Sequence, residues 1–202
     1  MNIDAIMRAA PVIPVLVLEE QMDWAALAET FVAAGLPVLE VTLRTPLALD
    51  AIRQMARVPG AVVGAGTVLN EAQLAQVIDL GSRFIVSPGL TNPLALAARD
   101  MEIPFLPGVA TAADIMRGID HGLDRFKFFP AATSGGIPAL NALSGPFGNI
   151  RFCPTGGIRP DTAADWLALP SVLCVGGSWF VKPGDDLATI GERARAAAAL
   201  AR

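Results

Sequence analysis

Short apolar runs alternate with longer amphipathic segments along almost the whole chain. The runs are rich in Val, Ile, Leu and Phe, which is typical of strands that are buried on both faces. The segments between them are of helical length, and one strand follows another at intervals of roughly 20 to 25 residues. The strand-like runs are 13–18, 37–42, 61–66, 83–87, 104–107, 125–129, 150–154 and 172–176. The helix-like segments are about 21–34, 46–57, 70–80, 91–101, 111–121, 135–144, 160–168 and 186–200.

This alternation predicts the fold class. Strands that alternate with helices pair in parallel through right-handed crossovers, and eight such units close into a (β/α)8 TIM barrel. No linker or change of composition interrupts the pattern, so we expect a single barrel domain over residues 1–202 that opens with a short helix at about Ile3–Ala10. An open, doubly wound sheet is the alternative. No GxGxxG follows the first strand, which argues against a dinucleotide site.

Composition and charge narrow the functional classes. Of the 202 residues 53% are hydrophobic and only 17% are charged, as expected for a large core with covered strands. The net charge of −4 and the absence of a basic cluster argue against a nucleic-acid partner. The two cysteines, Cys153 and Cys174, predict buried thiols rather than a disulfide framework. Because no apolar run reaches the length of a membrane span, we expect a soluble, cytoplasmic protein with a small-molecule substrate.

Lys127 stands in the middle of an aromatic strand, RFKFFP (125–130), and the chain has only one other lysine, Lys182. Lysine is rarely buried without a role. One interpretation is a strand-edge lysine that extends its ammonium to water. The other is a nucleophile, because burial disfavours the charged ammonium and a neutral amine can attack a carbonyl to form a Schiff base.

Glu40 is a carboxylate inside the otherwise apolar strand 37–42. Side chains alternate between the two faces of a strand, so Glu40 faces away from Leu39 and Val41, and Lys127 faces away from its neighbour Phe126. Both ionisable groups can then point into the barrel. Glu40 is either an ion-pair partner of an arginine or of Lys127, or a proton-transfer group beside a covalent imine.

Glycines follow the last two predicted strands, at Gly156-Gly157 and at Gly176-Gly177-Ser178. Many barrels bind a phosphate at this place, with backbone N–H groups and a helix N-terminus. A Gly pair alone is often only a tight turn. Two pairs on adjacent strands favour a phosphate site, and we expect the first pair to lead into a helix that starts near Pro160.

The sequence lacks the residues that a catalytic metal site or a Ser-His-Asp triad would need. His121 is the only histidine, and it lies at a helix end before strand six, away from the carboxyl ends of the strands where barrel sites form. The sequence therefore favours covalent lysine chemistry with no metal and no other cofactor.

Six motifs in order along nearly the whole chain carry a resemblance to a known family: EVTLRT (40–45), GAGTVL (64–69), SPGL (87–90), RFKFFP (125–130), RFCPTGG (151–157) and GGSW (176–179). They resemble the 2-keto-3-deoxy-6-phosphogluconate (KDPG) aldolase / 4-hydroxy-2-oxoglutarate (KHG) aldolase family. The resemblance implies a (β/α)8 barrel, a homotrimer and class I chemistry without a metal. It implies that Lys127 forms the Schiff base and that Glu40 is the general acid/base.

The resemblance also assigns the substrate contacts. It implies that Arg44 and Thr67 hold the pyruvyl carboxylate and that Pro88 and Phe129 pack around it. The phosphate end would be formed by Thr155, Gly156, Gly157 and Ser178. Where many family members have Glu after Phe-Pro-Ala, this chain has Ala132, which bears on loop contacts and substrate preference rather than on the assigned catalytic groups.

The activity that the resemblance implies is a carbon–carbon lyase of Entner–Doudoroff carbohydrate catabolism. It would cleave 2-dehydro-3-deoxy-6-phosphogluconate to pyruvate and glyceraldehyde 3-phosphate, and 4-hydroxy-2-oxoglutarate to pyruvate and glyoxylate. Two other classes use a similar barrel. A phosphosugar isomerase or epimerase needs the phosphate turns but no nucleophilic lysine, and a non-catalytic phosphate binder would use Lys127 only as a charge.

Overall fold

Eight parallel strands alternate with helices in the computed structural model of the protein, which describes residues 1–201. The strands are β1 (Val12–Leu16), β2 (Val38–Thr42), β3 (Val62–Gly66), β4 (Ile85–Ser87), β5 (Phe105–Val109), β6 (Arg125–Phe128), β7 (Arg151–Pro154) and β8 (Val175–Gly177). The helices are α1 (Ile3–Arg8), α2 (Trp24–Ala33), α3 (Ala48–Met55), α4 (Glu71–Asp79), α5 (Asn92–Asp100), α6 (Ala112–Asp120), α7 (Gly136–Ser144), α8 (Ala163–Leu167) and α9 (Leu187–Ala198).

The strands form one sheet in the order β7-β6-β5-β4-β3-β2-β1-β8. The two end strands meet through the isolated parallel bridges Phe152–Val172 and Thr155–Gly176. The sheet is therefore a (β/α)8 barrel, which confirms the predicted fold class and excludes the open sheet. Within the described residues, no helix combines the length and hydropathy that crossing a membrane requires.

Two packed layers of apolar side chains build the core. The larger layer lies between the strands and the outer helices and contains Leu39, Val41, Phe126 and Phe128. The smaller layer fills the amino half of the barrel interior with inward-facing side chains and with Ile6 and Met7 of α1. Because α1 covers the amino end, the inward-facing polar side chains lie nearer the carboxyl ends of the strands.

Local signals explain most element boundaries. α6 begins with a capping box in which Thr111 and Asp114 exchange side-chain-to-backbone hydrogen bonds. α2 begins three residues later than the predicted segment because Asp23 caps it by accepting from the Ala26 N–H at 3.0 Å. The last strand was predicted over 172–176 but spans Val175–Gly177, since Val172 makes only an isolated bridge.

Candidate active site

Lys127 on β6 and Glu40 on β2 come from opposite sides of the barrel, and their side chains meet in its interior. The Lys127 Nζ donates to Glu40 Oε1 at 3.0 Å, and the two side chains are only 6% and 4% exposed. Strand alternation predicted that both side chains point inward, and their neighbours Leu39, Val41, Phe126 and Phe128 face the helices. An amine within hydrogen-bonding distance of a carboxylate is the arrangement that nucleophilic catalysis by a lysine requires.

Phe129 gives the lysine an aromatic neighbour. Its ring centroid lies 5.2 Å from Lys127 Nζ, within the range of a cation–π contact. On the next strand of the sheet Cys153 pairs in register with Lys127, and its buried thiol belongs to the apolar layer of the barrel interior. The amine is therefore shielded from bulk water on these sides, while Glu40 provides its polar contact.

Gly66 at the end of β3 makes room for the Glu40 carboxylate. A Cβ at this position would overlap Glu40 Oε1, so a larger residue would displace the carboxylate from Lys127. The Gly66 carbonyl accepts from the Leu43 N–H at 2.8 Å, which connects the ends of β2 and β3. The second glycine of the GAG motif is therefore required because any side chain there would collide with Glu40. The sequence alone did not indicate this requirement.

Arg44 and Thr67 lie together at the carboxyl ends of β2 and β3. Arg44 Nε donates to Thr67 Oγ1 at 3.4 Å, and Thr67 has a left-handed backbone with φ 60°. Left-handed φ is uncommon for a residue other than glycine and is frequent at functional sites. Arg44 is exposed, and so is Pro88 at the end of β4. These side chains lie at the mouth of the barrel, above the Lys127–Glu40 pair.

The ends of β7 and β8 bring the four residues of the predicted phosphate site to one place. Thr155 forms the bridge with Gly176, and the exposed Ser178 follows β8. Gly156 and Gly157 have φ values of 99° and 76°, which suit only glycine without strain, so their backbone N–H groups take directions that a regular strand does not allow.

One part of the phosphate prediction was wrong. The helix expected near Pro160 begins at Ala163 and has only five residues. A turn intervenes, in which the Arg159 N–H donates to Thr162 Oγ1 at 3.0 Å and the Thr162 N–H donates to the Arg159 carbonyl at 3.0 Å. The glycine turn, rather than a helix N-terminus, is the available source of N–H donors.

Ala132 packs against the same glycine turn. Its N–H donates to the Gly156 carbonyl at 3.0 Å, and a Cβ on Gly157 would lie within van der Waals overlap of the Ala132 methyl group. The loop after β6 is thereby attached to the loop after β7. The residue at 132 consequently adjoins the predicted phosphate end.

A cavity of about 840 Å³ opens beside Ser178, between the loops that follow β7 and β8 and helix α9. Its lining comprises apolar side chains such as Trp179, the carboxylate of Asp161 and three cations: Arg159, Lys182 and Arg193. Sequence reasoning assigned none of these cations to the site. The only available signal was that Arg159 and Lys182 closely follow the two glycine pairs.

His121 takes no part in this site. It caps the end of α6, and its Nε2 lies 3.0 Å from Asn92 Oδ1. Among the described residues, no group of three or more His, Cys, Asp or Glu side chains is arranged to hold a metal ion.

A (β/α)8 barrel with a buried lysine–glutamate pair defines the class of the protein as a barrel enzyme of the class I aldolase type. Comparison with known proteins then gives the family. Residues 3–192 match the model of the KDPG and KHG aldolases, and the chain belongs to this family. It is a carbon–carbon lyase.

Two relatives illustrate how far the similarity extends. The chain is 56% identical over 202 residues to the 2-dehydro-3-deoxy-phosphogluconate aldolase of Zymomonas mobilis, covering 100% of this chain and 97% of the relative. It is 54% identical over 185 residues to the KHG/KDPG aldolase of Escherichia coli K12, covering 91% of this chain and 86% of the relative.

Solved structures agree. The 2-keto-3-deoxy-6-phosphogluconate aldolase of Zymomonas mobilis ZM4, crystallised with 3-phosphoglycerate, superposes with a TM-score of 0.97 at 56% identity and covers 100% of this chain and 97% of its own. The KDPG aldolase of Legionella pneumophila superposes with a TM-score of 0.93 at 44% identity, and the two chains are covered to 98% and 99%. In that structure pyruvate was captured as a covalent carbinolamine intermediate.

Proposed function

We propose that this protein cleaves 2-dehydro-3-deoxy-6-phosphogluconate to pyruvate and glyceraldehyde 3-phosphate through an imine on Lys127. The observation that carries the proposal is the 3.0 Å contact between Lys127 Nζ and Glu40 Oε1 inside the barrel. A nucleophilic amine and a proton-transfer group at this distance are the two parts that class I aldol chemistry requires.

The first half-reaction builds the imine. Glu40 accepts a proton from the Lys127 ammonium, and the neutral amine attacks the C2 carbonyl of the substrate. The resulting carbinolamine hydroxyl leaves as water after Glu40 returns a proton to it, directly or through a bound water. The product is a protonated imine, whose positive nitrogen can accept electrons from the adjacent carbon.

The second half-reaction breaks the carbon–carbon bond. Glu40, now a carboxylate, removes the proton of the C4 hydroxyl, the C3–C4 bond breaks and its electron pair moves to the imine nitrogen, which gives an enamine. The C4 hydroxyl becomes the aldehyde of glyceraldehyde 3-phosphate. Protonation of the enamine at C3 and addition of water to the imine then release pyruvate and restore Lys127.

The two ends of the substrate would bind on opposite sides of the lysine. Arg44 and Thr67 would hold the pyruvyl carboxylate, because an exposed guanidinium at the mouth of the barrel is suited to a planar anion. Pro88 and Phe129 would pack against the pyruvyl group. The remaining residues, Thr155, Gly156, Gly157 and Ser178, would hold the phosphate with hydroxyl and backbone N–H donors.

We extend the proposal to 4-hydroxy-2-oxoglutarate, which has the same 2-keto and 4-hydroxy groups. The chemistry at Lys127 is unchanged for this substrate, and its products are pyruvate and glyoxylate. The name of the Escherichia coli relative includes both activities. Because this substrate lacks a phosphate, it separates the catalytic centre from the phosphate end in experiments.

We also propose that residues 1–202 form one barrel domain that assembles as a homotrimer in the cytoplasm. The family resemblance supports this assembly, and no metal or other cofactor is needed for the reaction. Light scattering of the purified protein should give three times the chain mass of 21.0 kDa. A mass equal to one chain would contradict it.

Trapping the imine tests the proposed function. Borohydride reduction in the presence of pyruvate should add one pyruvate-derived adduct per chain, and peptide mapping should find it on Lys127. Lys182, the other lysine, is exposed and should remain unlabelled in the same digest. Lys127→Ala should remove both the adduct and cleavage of either substrate. An active enzyme with an unmodified Lys127 would contradict the mechanism, and an isomerase or a binding protein would give no adduct.

A further inference from the structure

The proposed phosphate end contains only neutral donors, although its ligand is strongly anionic. Hydroxyl groups come from Thr155 and Ser178, and backbone N–H groups come from Gly156 and Gly157. A phosphate ester has a charge of about −1.5 to −2 at neutral pH. The 840 Å³ cavity that starts at Ser178 holds cationic side chains, so positive charge adjoins this end of the site.

Arg193 is already engaged and is not available to a ligand. Its guanidinium makes an ion pair with both carboxylate oxygens of Asp185, the Nη2–Oδ1 distance being 3.0 Å, and Nη1 also donates to the Phe180 carbonyl at 2.9 Å. This pair holds the pKa of Asp185 below its ordinary value. Arg193 therefore stabilises the loop after β8.

Arg159 is only loosely engaged. Its guanidinium contacts both oxygens of Asp161 at 3.0 Å and 2.9 Å, and it lowers the pKa of that carboxyl. The two side chains are 64% and 67% exposed, however, and exposed pairs of this kind contribute little to stability. Arg159 follows Gly157 by two residues, so its side chain can exchange Asp161 for a phosphate at little cost to the fold.

Lys182 lines two cavities, the one beside Ser178 and a second one that Glu19, Glu20 and Asp185 also line. After Arg193, the larger influence, its charge also contributes to the lowered pKa of Asp185. The Lys182 backbone N–H donates to Asp185 Oδ2 at 2.7 Å, but among residues 1–201 no carboxylate lies within ion-pair distance of its Nζ, and Asp185 itself is engaged by Arg193. The side chain is exposed on the loop after β8 and lines the cavity together with Ser178. Because no direct ion pair holds its ammonium, the side chain can turn toward an anion bound at Ser178.

We propose that Arg159 and Lys182 form a cationic rim that makes the enzyme select the phosphorylated 2-keto acid over the unphosphorylated one. This inference rests on the proposed function, since it assigns a specificity role at the same site. The rim attracts the phosphate equally in the ground state and the transition state. Such uniform binding lowers KM and leaves kcat unchanged.

Steady-state kinetics on two substrates test the rim. Arg159→Gln and Lys182→Gln should each raise KM for 2-dehydro-3-deoxy-6-phosphogluconate by about three- to tenfold, with kcat within about twofold of the parent. Neither variant should change kcat/KM for 4-hydroxy-2-oxoglutarate. Inorganic phosphate should inhibit the parent competitively against the phosphorylated substrate, and should inhibit the two variants more weakly. The conservative variants Arg159→Lys and Lys182→Arg keep the positive charge and should have KM values close to that of the parent.

Arg99 provides a matched control. It forms the same kind of exposed pair with its neighbour Asp100, at 2.9 Å and with both side chains about two-thirds exposed, but it lies at the end of α5, far along the chain from the phosphate loops. Arg99→Gln changes the net charge by the same amount as Arg159→Gln. It should leave KM for both substrates unchanged, which separates a local effect from a change of overall charge.

Two results would contradict the proposed role of the cationic rim. One is an unchanged KM for the phosphorylated substrate in both Gln variants. The other is an equal loss on both substrates, which would indicate a general disturbance of the site. Failure of the proposed function is distinguishable from either, because it would appear as a missing pyruvate adduct on Lys127 in the parent enzyme.

Discussion

At the scale of single residues, Glu40 and Lys127 are the two charged side chains that are buried among the described residues. A buried ion pair contributes little net stability, because desolvation offsets much of the attraction between the charges. Removing one partner is costly, however, because it leaves the other charge unpaired in the interior. Because the Glu40–Lys127 pair adds little net stability, proton transfer explains its presence better than support of the fold does.

Glu40→Gln separates these two roles. Glutamine keeps the size and a hydrogen bond to Lys127 but cannot accept a proton, so we expect kcat to fall by about 10²-fold or more. Circular dichroism should show an unchanged fold, and borohydride with pyruvate should still label Lys127, more slowly. Near-normal turnover in this variant would reduce Glu40 to an ion-pair partner.

Gly66 determines where the Glu40 carboxylate can lie. Gly66→Ala introduces a methyl group into the space of Glu40 Oε1, so we expect a loss of about 1–3 kcal/mol in the free energy of unfolding, as for other overpacked sites. Because the carboxylate must move away from Lys127, kcat should fall as well. Urea unfolding and steady-state kinetics measure the two effects.

Gly148 is the control for this substitution. A Cβ there would have no atom within 4 Å, and its backbone is not left-handed, so Gly148→Ala should change stability by no more than about 0.5 kcal/mol and leave kcat unchanged. Full activity in Gly66→Ala would mean that the position of the carboxylate does not limit the reaction.

At the scale of elements, α1 closes the amino end of the barrel. Asp4 on α1 accepts from Arg125 Nε of β6 at 2.6 Å and from Arg8 Nε at 2.8 Å. These two guanidiniums, with Arg8 the larger influence, hold the pKa of Asp4 below its ordinary value. The contact joins the first helix to the strand that carries Lys127.

Asp4→Asn should therefore have a pH-dependent effect on stability. The pKa of Asp4 is lower in the folded than in the unfolded protein, so its ionisation stabilises the fold above pH 3.8, and this contribution disappears as the pH falls through the folded value. We expect a loss of about 1 kcal/mol at pH 7, as for a partly exposed charged hydrogen bond. The difference from the parent should shrink toward zero below pH 3.8.

The measurement is urea unfolding of both proteins between pH 3 and pH 7. Asp100→Asn removes the acid of the exposed Arg99–Asp100 pair and should be nearly neutral across this range. A constant difference between Asp4→Asn and the parent at every pH would mean that the ionised carboxylate is not what stabilises α1.

Regular strands explain why so much of the barrel could be predicted from sequence. A period of two is enough to direct Glu40 and Lys127 inward, because β2 and β6 are regular and are covered on their other face by apolar side chains. The left-handed backbone of Thr67 left no sequence signal, since threonine rarely adopts it. The helix after Gly157 was misjudged because a turn stabilised by Thr162 replaces its first residues.

The cationic rim could not be predicted for a different reason. Arg159 and Lys182 lie on different loops, and only the closure of the barrel between β7 and β8 brings them to one cavity. Local patterns report which face of an element a residue occupies. They do not report which loops become neighbours, or which cations line the same cavity.

At the scale of the whole molecule, the barrel is joined least regularly between β7 and β8. Every other neighbouring pair of strands forms a ladder, and the longest, between β2 and β3, has five consecutive register positions. Between β7 and β8 there are two isolated bridges, with the Phe152 N–H donating to the Ser171 carbonyl at 2.8 Å and the Leu173 N–H donating to the Phe152 carbonyl at 3.1 Å. The proposed phosphate end lies at the top of this junction, on both of the strands that it joins.

Hydrogen exchange can measure both the weakness of this junction and its link to the ligand. Stability varies across a fold, and sparsely hydrogen-bonded regions open most readily. We expect amides in 152–157 and 171–178 to exchange faster than those of β2 and β3. Inorganic phosphate should slow exchange in these two segments, because a ligand that contacts both loops stabilises the closed barrel by mass action. The β2–β3 amides are the internal control and should not respond. If the junction exchanges as slowly as β2 and β3, the barrel is uniformly closed and the junction is not weak. If the junction exchanges rapidly but phosphate does not slow it, the junction and the phosphate end are not linked.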